Sequence, residues 1–266
     1  MKKILALMLI LALCVLAFAA CSSEVKKEEK ESAQTTDVKG DAPAKTEGVL
    51  KMATNAAFPP YEFKEGENFA GIDVEIAREI AILLGCELQI VDMEFDSIIT
   101  SVNAGETDFG MAGMTVTEER LKEVDFSNSY ATGVQSIIVK EGSAIKTPDD
   151  LAGKKIGVQL GTTGDIYSCD DFGEENVTKF SKGADAVLAL KGGEVDAVII
   201  DNEPAKAFVK ANSGLALLDT DYAVEDYAIA LKKGNKELLD KVNAALETLT
   251  ENGKIDEIIG KYISAE

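Results

Sequence analysis

Apolar positions along this chain change their period repeatedly. From Val49 the run VLKMAT reads as a half-buried strand, and IDVEIAREIAILLG then repeats its apolar residues at helical spacing. ELQIVDM returns to strand, DSIITSVNAG to helix and DFGMAG to strand. After Tyr130 a second series begins: QSIIVK, PDDLAG, KKIGVQL, a Gly-Thr-Thr-Gly turn, NVTKFS, ADAVLALKGG, DAVIID and helical EPAKAFVKA. The tail adds a strand, YAIALKK, and two helices, NKELLDKVNAALETLTEN and KIDEIIGKYI, with Gly253 placed to stop the first. Such alternation predicts an α/β protein.

One stretch echoes another. Val102 to Gly113 aligns without gaps on Leu190 to Asp201, with identities at Gly105/Gly193, Glu106/Glu194 and Asp108/Asp196. Each copy reads as helix, glycine turn, buried strand. Gly113 and Asp201 therefore fall at equivalent strand ends, where open α/β sheets bind ligands.

The remainder of the chain is different. Lys2 and Lys3 precede an apolar run from Ile4 to Ala20, which reads as a signal peptide over 1–20. It closes on Phe18-Ala19-Ala20-Cys21, which resembles a bacterial lipobox whose Cys21 is acylated, as by palmitate, and becomes the new N-terminus. Residues 21–46 carry charges, Ser, Thr and Ala with almost no large apolar side chain, the composition of a disordered tether.

Composition narrows the chemistry. The formal charge of −20, from 47 acidic and 27 basic residues, gives nucleic acid no surface to sit on. No His is present, which removes His-based triads and zinc motifs; no metal or cofactor is expected. Cys14 leaves with the leader and Cys21 takes lipid, so Cys86 and Cys169 remain for one bridge at most, and both are read as ordinary small residues.

In GMTVTEERLKEVDFS, Thr117 suits a helix N-cap. Arg120, one of only two arginines, follows a Gly-x-Thr strand end, where its fork can grip a carboxylate and Thr115 can add a hydroxyl. Its loss should then cost binding and hardly any folding stability.

ATNAAFPPYEF, GIDVEIAREIA, the start FDSII, GMTVTEER with VDFS, the Gly161-Thr162-Thr163-Gly164 turn and DAVIIDNEPA occur in an order that resembles the solute-binding proteins of polar amino acid importers, over roughly residues 48 to 264. The resemblance implies a type II periplasmic-binding-protein fold: lobe 1 from 47–133 plus 223–266, lobe 2 from 134–222, and a two-crossing hinge near Ala131 to Gln135 and Ala223 to Tyr227. It implies that Arg120, Thr115 and the backbone around Thr163 hold an α-carboxylate. The Gly113 carbonyl, the Thr115 hydroxyl and Asp201 take the α-ammonium; Phe58 and Phe95 wall the side chain; Asn55 lies near its tip, with Gln159 a further polar candidate. Asn55 departs from the Asp that glutamine and basic amino acid binders of this family often carry. The expected partners are a free, polar L-amino acid and the membrane subunits of an ABC importer, with the receptor a lipid-anchored, extracytoplasmic monomer and no enzyme. Rivals on the same fold are a secreted cyclohexadienyl dehydratase, which would use an Asp or Glu as general acid or base, and a sensory module.

Overall fold

The computed structural model describes residues 48–263 other than 221. The leader at 1–20, Cys21 and the tether at 21–46 lie outside the described residues.

Two sheets organise the described chain. In the first, Gly48–Thr54 pairs in parallel with Cys86–Asp92 on one side and Phe109–Gly110 on the other, and Ala230–Lys232 and Val124–Phe126 extend it by antiparallel ladders. In the second, the order is Val177–Phe180, Ile156–Gln159, Ala197–Asp201, Ala131–Lys140, Leu215–Leu217, with Ala223–Tyr227 also laid along Ala131–Lys140. Helices cover the sheets by the expected stripes: Ile72–Leu83 buries Ile72, Ile76 and Ile80, and Lys236–Glu251 buries Val242, Ala245, Leu246 and Leu249. Gly253, at φ 75°, ends the latter and opens Lys254–Tyr262.

Each sheet belongs to one lobe of a type II periplasmic-binding-protein fold. The chain crosses between lobes in two antiparallel strands, with Ala131 opposite Tyr227 and Gln135 opposite Ala223. Cys86 and Cys169 are both free.

The internal echo is physical. Gly105 and Gly193 are both left-handed C-caps, at φ 74° and 85°. The Asp108 carboxylate accepts the Lys51 N–H at 2.7 Å while its own N–H donates to the Lys51 carbonyl at 2.9 Å; Asp196 makes the same clasp on Lys155, at 2.9 and 2.7 Å. The shared Gly-Glu-x-Asp thus locks the central strand of each lobe onto the strand beside it, Phe109–Gly110 onto Gly48–Thr54 and Ala197–Asp201 onto Ile156–Gln159.

Some elements differ from their sequence reading. YAIALKK is not one strand: Tyr227 ends a hinge strand, Ala228 donates to the Met114 carbonyl at 3.1 Å, and only Ala230–Lys232 joins the first sheet. The helix read at DSIITSVNAG begins as a single tight turn, Phe95–Ser97. A small antiparallel sheet, Ala57–Phe58 with Glu62–Glu65 and Asn68–Ala70, was not foreseen, because its strands are too short for period-two alternation to register.

Candidate functional site

The strand ends of both lobes meet at a tightly closed cleft with a cavity volume of about 10 Å³, and all nine residues singled out from the sequence line it. Gly113 comes from the end of one echo unit and Asp201 from the other. The Gly113 backbone, at φ 53°, is held from behind by the Asp73 carboxylate, which accepts its N–H at 2.8 Å, and a Cβ there would stand 3.1 Å from the Phe58 ring. Phe58 is buried and stacks on Tyr61 with ring centroids 6.0 Å apart.

Arg120 follows its N-cap closely: Thr117 accepts the Arg120 N–H at 3.2 Å, which starts the helix Glu118–Glu123 and turns the side chain inward. Arg120 is 7% exposed; its guanidinium lies 5.3 Å from the Phe95 ring centre and donates to the Thr115 carbonyl at 2.7 Å and, across the cleft, to the Gly161 carbonyl at 3.0 Å. Among the described residues no carboxylate pairs with it within 4.0 Å. Burial lowers its pKa, which the more distant Glu225 and Asp201 oppose. A buried cation without a counter-ion is costly, and an anion is what this place lacks.

Opposite, Thr162 caps the helix Thr163–Phe172 by accepting the Asp165 N–H at 3.3 Å, and Asp165 accepts the Gly161 N–H at 3.0 Å. The N–H groups of Thr163 and Gly164 have no acceptor inside the helix, so its positive end opens on the cleft. At the far side Asn55 donates to the Met93 carbonyl at 2.7 Å and accepts from Gln159 at 3.0 Å, a second link between lobes.

Asp201 stands at the N-cap position of Asn202–Ala211 yet makes no capping bond; it accepts from the Tyr227 hydroxyl instead. Burial pushes its carboxyl up to about 7. Capping is therefore not what holds this carboxyl here.

Sequence reasoning missed one acid of the lining and those behind it. Glu62 lines the cleft and is 1% exposed; no backbone or non-acidic side-chain donor reaches its oxygens, and its hydrogen-bond neighbour is the Asp73 carboxyl. Burial, then the neighbouring Asp73, raises its pKa well above the usual range. Asp73 accepts from Gly113 and from the Tyr130 hydroxyl at 2.8 Å; burial outweighs both and puts it at about 6. Gln135 and Glu225, on the hinge strands, bond to Thr163. One signal was available for Asp73: it shares the apolar face of IDVEIAREIA with Ala77 and Ile80, where an acid needs a reason.

Residues 50–265 match the family described as bacterial extracellular solute-binding proteins, family 3. The arginine-binding extracellular protein ArtP of Bacillus subtilis is 34% identical over 272 residues, covering 100% of both chains. The ABC transporter glutamine-binding protein GlnH of the same organism is 33% identical over 270 residues, covering 100% of this chain and 99% of GlnH. Among solved structures, an ancestral arginine-binding protein bound to glutamine shares 42% identity over 82% of this chain and 98% of its own, with a TM-score of 0.78. Two α/β lobes, a paired-strand hinge and this match along most of the chain identify the protein as a member of the bacterial extracellular solute-binding proteins, family 3.

Proposed function

We propose that this protein captures a free L-amino acid with a cationic side chain between its lobes and delivers it to the membrane subunits of an ABC importer, acting as a binding protein and not as an enzyme. Its lobes comprise 47–133 plus 223–266 and 134–222, with Cys21 carrying the lipid that keeps the monomeric receptor outside the cytoplasm at the membrane. In this reading Arg120 and the first-turn N–H groups of Thr163–Phe172 hold the α-carboxylate. Asp201 and the Gly113 carbonyl take the α-ammonium, and Phe58 and Phe95 sandwich the aliphatic stem.

The observation that carries the side-chain assignment is Glu62, a buried carboxyl lining the cleft whose one hydrogen-bond neighbour among the described residues is another acid, Asp73. A guanidinium or ammonium there would supply donors and charge together. Names of relatives, one arginine-binding and one glutamine-binding, agree with an amino acid ligand. A second reading, glutamine, is favoured by the Asn55–Gln159 amide pair, which suits a neutral amide.

Arginine and citrulline separate the two, being close in shape and different in charge. Calorimetric titration across the twenty amino acids, ornithine, citrulline and cystine should find arginine tighter than citrulline by at least about tenfold, roughly 1.4 kcal/mol, and Glu62→Gln should collapse that ratio. Equal affinities would remove the cationic assignment and leave amino acid capture standing. Silence across the whole series would remove capture itself.

A further inference from the structure

Glu225 does not line the cleft. It sits on the hinge strand Ala223–Tyr227, 6% exposed, and a single oxygen, Oε2, receives Thr115 Oγ1 at 3.2 Å, Thr163 Oγ1 at 2.9 Å and Gln135 Nε2 at 2.9 Å. Those donors come from lobe 1, lobe 2 and the other hinge strand.

A threonine hydroxyl owns one proton and two lone pairs. Both protons are committed to Glu225, so toward the cleft Thr115 and Thr163 can offer only lone pairs. Thr163 also accepts from Gln135 Nε2 at 3.3 Å, which places its proton on Glu225 all the more firmly. Neither hydroxyl is then free to donate to a carboxylate. That changes the part expected of Thr115: it faces the ligand as an acceptor beside Asp201, and the carboxylate is left to Arg120 and the helix N–H groups. Since the donors converge from both lobes, this arrangement is complete only with the lobes closed.

We propose that Glu225 is a positioning residue that fixes the hydrogen-bond polarity of Thr115 and Thr163, and thereby makes the closed cleft select for its ligand's α-ammonium. The proposal rests on the amino acid reading above. Selection against a ligand that lacks the ammonium then comes from acceptors left unpaired in a dry site.

The test compares the amino acid the wild type binds best with its deamino analogue, which for arginine is 5-guanidinopentanoate. Wild type should favour the amino acid by about 100-fold or more, the scale of a buried charged hydrogen bond. Glu225→Met removes the acceptor at similar length and frees both hydroxyls to turn; the ratio should fall at least about tenfold, chiefly because the deamino analogue binds better. Glu225→Gln, whose amide oxygen can still receive the hydroxyls, should restore the ratio to within about threefold. Should Glu225→Met fail to fold, Thr115→Val answers the same question: it should weaken the amino acid and spare the deamino analogue.

Equal losses for both ligands in Glu225→Met would mean support of the fold alone and overturn the proposal. So would a Glu225→Gln variant as impaired as Glu225→Met, since charge at a distance would then be at work, or a Thr115→Val variant that loses the deamino analogue. A wild type that binds no α-amino acid overturns the functional reading first, which the same titration reveals before any variant is made.

Discussion

Replacing Arg120 by alanine tests the carboxylate clamp most directly. Two quantities change. For binding, the ligand's carboxylate would be buried without its bidentate partner, a loss of about 2–5 kcal/mol, or roughly 30-fold to several thousand-fold in affinity. For folding, the structure alters what the sequence suggested. Arg120 is no surface residue whose removal costs within about 0.5 kcal/mol: it donates to the Thr115 carbonyl at 2.7 Å and to the Gly161 carbonyl at 3.0 Å and stacks on Phe95. The first bond and the ring contact lie within one lobe and should together contribute about 2–3 kcal/mol; the Gly161 bond spans the lobes and acts on closure.

Titration calorimetry on folded protein, beside thermal melts without ligand, reads the two effects separately. Arg120→Lys should recover part of the binding and less of the stability, because one ammonium cannot reach two carbonyls in fork geometry. Wild-type affinity in Arg120→Ala would sink the carboxylate clamp, and an unchanged melting temperature would contradict its structural part.

Ligand affinity should rise with pH up to about 7, since Asp201 at about 7 holds a proton that an arriving ammonium must displace, at a limit of about tenfold per pH unit for that proton. Stability without ligand should run the opposite way: a carboxyl of ordinary value 3.8 raised to about 7 gives stability that is complete below 3.8 and lost as pH climbs through 7, so parallel trends in titrations and melts would refute the assignment. Asn55→Asp should tighten arginine relative to glutamine while lowering the melting temperature, because aspartate keeps the bond from Gln159 but cannot donate to the Met93 carbonyl 2.7 Å away; an unchanged preference takes Asn55 out of the specificity site. Cys21→Ser should leave the membrane fraction with ligand binding intact, and a variant that still sediments wholly with membranes after leader removal is incompatible with lipid at Cys21.

Much of this site was legible because its lining sits at strand ends and helix starts, which punctuate the sequence. Gly113 and Asp201 were readable from the echo, while Arg120, by itself a surface residue after an N-cap, and the Gly-Thr-Thr-Gly turn at Thr163 were placed by an order of motifs that resembles the family. What stayed hidden is Glu62 in the lining and the acids and amide one layer back. Glu62 stands between Tyr61 and Phe63 in a short strand, and nothing local separates it from an exposed acid. Gln135 and Glu225 lie on segments recognisable as hinge crossings, but whether their side chains turn inward depends on the pairing of two strands about ninety positions apart, and pairing sets which face each residue takes. The split of YAIALKK has the same cause: apolar period records burial, and Tyr227 and Ala230 are both buried, in different places.

The side chains that line the cleft are also those that tie its sides together: Arg120 to Gly161, Gln159 to Asn55, and Thr115 and Thr163 to Glu225. Each such bond contributes about 0.5–1.5 kcal/mol net, more where the charge of Arg120 takes part. A ligand held at micromolar strength contributes about 8 kcal/mol. Closure is thus decided by what a ligand adds beyond the partners these groups already have, and only that difference can shift the balance between open and closed forms. It is small for Gln159, which exchanges one amide partner for another. It is large at Arg120, whose carbonyl partners leave its charge uncompensated, and at Glu62 and Asp201, buried acids whose carboxyls are held above the ordinary range by burial with no cation beside them. A ligand with an anion for Arg120 and cations for the two acids meets all three needs at once, so the groups that would recognise a basic amino acid are the same groups that would make closure favourable around it.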